Sequence, residues 1–313
     1  MNFKKILVTG AAGFIGSNFC RHILDVNKKA QVVGIDNFCV GNKKNISDIL
    51  VSKRFSFYKA NLENKKKLIK ISKNCDLVIH LASNADIAKA MKDPLIDYRQ
   101  GLKLTLEILE VMRINKIKNI IFSSGSGVYK ENYKNKLIEN KSDLVPISTY
   151  GANKLSSEAF ISAYSHLFNI KALVFRFANV VGRNQTHGVA FDFKNNLKKN
   201  TKFIKVMGNG NQKKSYIDVL DVIKGTFLAI QKEKNKFASY NIANDDAITV
   251  KEILNIVVKH LNIKFPKVKY GKTNRGWLGD VPFVKLSNKK IKKLGWKYQF
   301  NSRSAILNSL KFI

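Results

Sequence analysis

At 313 residues the chain is long enough to bury a large core, and 45 % hydrophobic residues with four prolines describe a folded globular protein, not a disordered one. Three scattered cysteines, Cys20, Cys39 and Cys75, exclude a disulfide framework or a cysteine-based zinc cluster. No run approaches the roughly 20 apolar residues of a bilayer-spanning helix.

These totals predict a cytoplasmic protein with reduced thiols and no membrane partner. A formal charge of +34 invites a nucleic-acid reading, but the lysines are spread along the chain and not gathered into one aromatic-interleaved segment. No dedicated nucleic-acid binding is therefore expected. The positive field would still attract anionic small molecules such as nucleotide diphosphates.

In chain order, short β-branched runs predict strands over Lys5–Thr9, Val32–Asp36, Phe55–Lys59, Leu77–Leu81, Asn119–Ser123 and Ala172–Phe177. Amphipathic segments between them predict helices near Ser17–Leu24, Lys65–Ile71, Ile96–Ile114 and Gly151–Phe168. Alternation at this spacing predicts an α/β protein with a doubly wound parallel sheet. Further on come a strand near Phe203–Met207, a helix at Leu220–Gln231, a strand near Tyr240–Ala243 and a helix at Lys251–Leu261. Residues 1–178 are thus expected to form the sheet domain, with a return segment at about 217–243. Residues 179–216 and 244–313 would build a smaller C-terminal lobe over the carboxyl ends of the strands, where ligands bind in open α/β sheets.

The first strand runs into Thr9-Gly10-Ala11-Ala12-Gly13-Phe14-Ile15-Gly16, which opens a helix. Gly10 permits the tight turn, Gly13 a close approach of backbone to pyrophosphate, and Gly16 close helix–strand packing. The helix N-terminus at Phe14 and Ile15 offers donors and partial positive charge to phosphates. Asp36, at the end of the second strand, is placed to accept hydrogen bonds from ribose hydroxyls and would repel a 2′-phosphate. The sheet domain is therefore expected to bind NAD. Tyr150 and Lys154 stand one helical turn apart on one face. Beside an oxidised nicotinamide, Lys154 would lower the phenol's pKa and hold the ribose, and Tyr150 would be able to serve as a general base.

These motifs together resemble the extended short-chain dehydrogenase/reductase family, with its Rossmann-like fold, and in particular its nucleotide-sugar epimerases and dehydratases. The resemblance implies that Asn37 flanks the adenosine with Asp36, and that Asn61 and Leu62 stand near the adenine. It implies that Leu81, Ala82 and Ser83 run beside the nicotinamide half and that Asn84 meets substrate. Gln100 takes a position often held by Asn, and Phe177 borders the cofactor. Asn179, Lys214, Arg275 and Asp280 match positions that hold the diphosphate and nucleoside of the substrate, although Arg275 departs from the usual spacing to Asp280. Trp277 is read as core of the smaller lobe, and His187 as a loop residue with a weak claim on substrate. The helices at Ile96–Ile114 and Gly151–Phe168 resemble the pair through which related enzymes form homodimers.

The family's assisting hydroxyl would fall on Gly125, three residues before Val128-Tyr129. Ser126 or Ser124, on either side, is expected to replace it. Dehydratases carry an acidic pair just before Val-Tyr, and here those positions are Ser126 and Gly127. Without a carboxylate to protonate a leaving hydroxyl, the resemblance favours epimerisation of a nucleotide-diphosphate sugar. C4 epimerisation of a UDP-hexose through a 4-keto intermediate is expected, in surface polysaccharide or sugar-nucleotide metabolism. An NAD(P)-dependent reductase or dehydratase, or a catalytically weak dinucleotide-binding protein, are the alternatives.

Overall fold

The computed structural model describes residues 3–85, 87–132 and 134–313. Seven parallel strands form the central sheet: β1 (Lys5–Thr9), β2 (Gln31–Asp36), β3 (Phe55–Lys59), β4 (Leu77–His80), β5 (Asn119–Gly125), β6 (Lys171–Phe177) and β7 (Phe237–Ile242). Their order is β7-β6-β5-β4-β1-β2-β3, so the strand order reverses beside β1, where a crevice opens at the carboxyl ends. The strands are apolar on both faces because helices cover both. Successive residues separate cleanly: Ile6 and Val8 of β1 and Ile121 of β5 pack on one side, and Leu7, Ile120 and Phe122 on the other.

Helices α1 (Phe14–Val26) and α6 (Val219–Lys232) cover the first face, burying Phe19, Ile23, Val222, Ile223 and Phe227. Helices α2 (Lys65–Ile71), α3 (Lys103–Ile114) and α4 (Thr149–Phe168) cover the second. The stretch expected as one helix over Ile96–Ile114 is interrupted by a π-turn at Tyr98–Leu102, with Gln100 in a non-helical conformation. A side chain at Gly101 would meet the Asn153 amide of α4 at 2.2 Å, so glycine lets this turn pack closely against the neighbouring helix. A third core joins α5 (Val189–Lys199) and α7 (Val250–Leu261) with residues near the C-terminus, among them Ile306 and Leu310. The helix α5 is an addition to the elements expected from sequence.

At the amino ends of the strands, cations reach the exposed carbonyls that end the covering helices. Arg54 donates to Leu24 O and Asn27 O after α1, Lys5 to Lys73 O after α2, and Lys118 to Phe168 O at the end of α4. Lys171 donates to Ile230 O and Glu233 O at the end of α6. Each cation meets the negative end of a helix dipole and an orphan acceptor at once.

A buried ion pair ties α4 to the sheet. Arg176 of β6 donates from Nη2 and Nε to the Glu158 carboxylate, at 2.6 Å and 3.1 Å, and from Nη1 to the Tyr129 hydroxyl at 2.9 Å. Removing one partner strands the other charge out of water. Arg176→Met is expected to cost about 3–5 kcal/mol in urea denaturation. The double variant Arg176→Met/Glu158→Gln is expected to lose less than Arg176→Met alone.

Candidate active site

The loop after β1 turns at Gly10, whose φ of +67° favours glycine. A side chain at Gly16 would fall 2.1 Å from the Gly10 carbonyl oxygen, so the start of α1 closes on the turn without room for a methyl group. Asp36 projects from the end of β2 beneath this loop. Its Oδ2 accepts from Ala12 N at 3.0 Å and its Oδ1 from Phe38 N at 2.7 Å. Burial raises its pKa, and these backbone donors oppose the rise. The carboxylate lines the cavity beside the glycine loop, where a ribose hydroxyl would meet it. Asn37 donates to the Asn61 side chain at 2.9 Å, so the two amides expected at the adenosine are joined. Thr9 Oγ1 accepts from Leu81 N and Ala82 N and lies 2.7 Å from His80 Nδ1. His80 is buried, and desolvation lowers its pKa to about 3, which makes it a neutral strut.

Every residue singled out for the site except Arg275 lines one continuous cavity of about 1240 Å³. It runs from the glycine loop and Asp36, past Leu81 to Asn84 and Gln100, to Ser124, Ser126, Tyr150, Lys154 and Phe177. It then continues to Asn179, Lys214 and Asp280. The Ser83 hydroxyl on this wall is buried without a hydrogen-bond partner among the described residues, as a ligand's polar group would require. The cradle of small residues, the acidic ribose acceptor and this orphaned hydroxyl fit a dinucleotide.

Tyr150 enters the cavity from the first turn of α4, which Ser148 caps by accepting from Gly151 N at 3.1 Å. A side chain at Gly151 would meet the Gly127 carbonyl oxygen at 2.2 Å, so this glycine lets the helix start press on the turn after β5. Lys154 is only 4 % exposed, and its Nζ donates to Ser123 O at 2.8 Å. Burial lowers its pKa to about 8, against the upward pull of Asp97 and Glu158. Burial raises the Tyr150 phenol to about 12, and the Asp97 carboxylate adds to the rise. In the ligand-free protein, burial thus outweighs the help that Lys154 was expected to give the phenol. Asp97 itself is buried, accepting from Asn84 Nδ2 at 2.9 Å and the Thr149 hydroxyl at 2.7 Å.

A Cβ at position 125 would stand 3.9 Å from the Tyr150 hydroxyl. A side-chain hydroxyl there would address the reacting oxygen, and glycine provides none. The two flanking serines are not equivalent. Ser124 is buried and its hydroxyl donates to Glu158 Oε1, into the Arg176 network. Ser126 begins the short 3-10 turn Ser126–Val128, lines the cavity and makes no side-chain hydrogen bond among the described residues.

On the substrate side, Lys214 pairs with the Asp280 carboxylate. Arg275 does not line the cavity; its guanidinium pairs with Glu131 at 2.8 Å and donates to Asp280 O at 2.7 Å. Trp277, expected in the core of the smaller lobe, lines the cavity instead and covers Gly279. It sits on the loop over residues 271–282, outside the packed clusters. His187 also borders the cavity. Asp97 and Glu131 were not anticipated. Asp97 meets partners 13 and 52 residues away and Glu131 one 144 residues away, and neither belongs to a motif of its own.

The family model described as "NAD dependent epimerase/dehydratase family" matches residues 6–243. An uncharacterized UDP-glucose epimerase of Bacillus subtilis is 32 % identical over 262 residues, 81 % of each chain. Among solved structures, a UDP-glucose 4-epimerase of Thermotoga maritima with UDP-glucose superposes with a TM-score of 0.87 at 27 % identity, covering 98 % of both chains. A UDP-glucuronic acid 4-epimerase of Bacillus cereus, in complex with UDP-glucuronic acid and NAD, gives 0.89 at 27 %, again over 98 % of both.

A lysine with a depressed folded pKa binds its proton less readily than in the unfolded chain. Its burial therefore costs stability below about pH 8, and the cost fades as pH climbs from there towards the ordinary lysine range. Lys154→Met is expected to stabilise the ligand-free protein at pH 7 by about 1–3 kcal/mol in thermal unfolding. The gain should shrink above pH 8, and turnover should be abolished. A variant less stable than the parent at pH 7 would contradict the assignment.

Proposed function

Because the chain belongs to the NAD-dependent epimerase/dehydratase family, we propose that it interconverts the C4 epimers of a UDP-hexose through a 4-keto intermediate, in surface polysaccharide or sugar-nucleotide metabolism. NAD is its cofactor. The observation that carries the reaction type is the makeup of the turn beside Tyr150: positions 125 to 127 are Gly, Ser and Gly, with no carboxylate to expel water from the sugar. The relatives that are UDP-sugar 4-epimerases support the same reading.

When bound, NAD supplies a reversible two-electron acceptor for the sugar carbon. Gly10, Gly13, Gly16 and Asp36 hold it at the adenosine and pyrophosphate, and Lys154 holds it at the nicotinamide ribose. Positive charge on Lys154, joined by that of a bound oxidised cofactor, would counteract the burial that raises the Tyr150 phenol. Tyr150 then takes the proton of the 4-hydroxyl and returns it to the opposite epimer. Ser126 supplies the hydrogen bond to the reacting oxygen that residue 125 lacks. Ser124 keeps the Arg176–Glu158 pair in place. Asn179 and Lys214 hold the diphosphate, Asp280 the nucleoside ribose, and Arg275 is kept in reach by Glu131. The chain works in the cytoplasm as a homodimer joined through α3 and α4, where Phe160 is exposed.

Purified protein incubated with UDP-, GDP- and dTDP-sugars and followed by NMR should give C4 epimers of a UDP-hexose without added nicotinamide cofactor. Failure to change any sugar would remove the proposal, and stoichiometric use of added NADH would replace it with a reductase. Tyr150→Phe should lower kcat by about 10³-fold or more. Ser126→Ala should lower kcat about 10-fold or more at nearly constant KM. Ser124→Ala should cost stability and leave kcat within about 3-fold. Gly125→Ser should raise kcat and relieve the loss in Ser126→Ala. Equal kcat in the parent and both serine variants would discard the compensation by Ser126.

A further inference from the structure

The edge of the sheet opposite the cavity carries a dense row of positive charge. The segments that enter the seven strands, residues 3–5, 26–31, 51–55, 72–77, 115–119, 169–171 and 232–237, contain thirteen lysines and arginines against two acidic residues, Asp76 and Glu233. The strand registers bring these segments into one row. Lys5 lies opposite Gln31, Val32 opposite Phe55, Asn119 opposite Lys171, and Ala172 opposite Phe237. Both acids are occupied, Asp76 by the backbone N–H groups of Lys4 and Lys5 and Glu233 by the Tyr240 hydroxyl.

Helix capping explains Lys5, Arg54, Lys118 and Lys171. It leaves Lys28, Lys29, Lys53, Lys73, Lys116 and Lys234 exposed, with no ion pair among the described residues. Lys4, Lys5 and Lys29, with Gln31 and Asn74, also line a shallow groove at the foot of β1 and β2. Two aliphatic side chains stand out from the same rim, Val26 at 57 % exposure and Val51 at 86 %.

We propose that this face docks the protein on an anionic lipid bilayer, with the lysines among the headgroups and Val26 and Val51 entering the interface. Interfacial binding combines these two ingredients, a cationic surface and a few aliphatic side chains at its rim. A nucleic acid read through its bases would call for stacking aromatics or free guanidinium forks, and a duplex held by its phosphates alone is an outcome of the test below. On this rim Arg54 is spent on helix carbonyls, and the exposed large apolar side chains near Lys28 and Lys53 are aliphatic. The contact is peripheral, so it does not call for the spanning helix that the sequence lacks. Because the face lies at the amino ends of the strands, docking leaves the cavity at the carboxyl ends open to soluble substrate.

The test is co-sedimentation of the full chain with phosphatidylcholine vesicles and with vesicles that contain one third phosphatidylglycerol. Binding is expected to the anionic vesicles alone at about 0.1 M salt, with release at about 0.5 M. Reversal of Lys28, Lys29, Lys53, Lys73 and Lys116 to Glu should weaken binding at least about tenfold while sugar turnover and Tm stay near those of the parent. A milder set, the same lysines to Gln, serves if the reversal fails to fold. Reversal of Lys198, Lys199, Lys202, Lys264 and Lys311, far from this edge, should retain most binding. Val26→Ser/Val51→Ser should weaken it without changing its salt dependence. The proposal is overturned by no preference for anionic vesicles, by equal losses in the two reversal sets, or by duplex DNA displacing the vesicles at equal phosphate concentration.

Discussion

The site depends on an ammonium group kept out of water. Lys154 is enclosed by Phe122, Tyr150 and the end of β5, with the Ser123 carbonyl as its hydrogen-bond acceptor and the charges of Asp97 and Glu158 nearby. Desolvation of this kind is unfavourable on its own. The surroundings explain why it persists. Asp97 is fixed by Asn84 and Thr149, Glu158 is fixed by Arg176, and Arg176 reaches on to Tyr129. The two carboxylates that favour the charged lysine are thus buried and immobilised, so their field does not relax away. A dry, preorganised pair of cation and phenol is the kind of environment in which a small shift of charge on a neighbouring ligand changes acidity strongly.

The same network separates two hydroxyls that the sequence presents as equals. Ser124 and Ser126 flank Gly125, and both lie close enough along the chain to substitute for a missing neighbour. Strand geometry directs Ser124 to the Glu158 side, while the chain leaves the strand at Ser126, which lines the cavity. Only the position of Glu158, 34 residues later, decides between them, and no local pattern carries that information.

Much of the fold was legible because its strands are buried on both faces and therefore appear as unbroken apolar runs. The bounds of β1 and β3 agree with expectation, and the others move by a few residues at their ends. The dinucleotide loop was equally plain, since a tight turn and close helix packing leave glycine as the residue that fits. Legibility fails where the deciding contact is distant. At the π-turn over Tyr98–Leu102, Gly101 packs against the Asn153 amide, a residue 52 positions later in the chain. The place of Arg275 follows from Glu131, which lies 144 residues earlier in the chain. Trp277 was misread because an isolated indole in an irregular loop carries no periodicity that would reveal which side it faces.

The last strand of the sheet has a bearing on how the chain is made. The strand β7 pairs with β6 along its whole length, yet α5, α6 and about 60 residues separate them. Until that segment has left the ribosome, β6 has an open edge and one face of the sheet lacks the α6 side chains Val222, Ile223 and Phe227 that seal it. A nascent chain ending near Phe177 would therefore present a bare parallel-strand edge and an uncovered apolar layer, the features that make partly synthesised α/β chains dependent on chaperones.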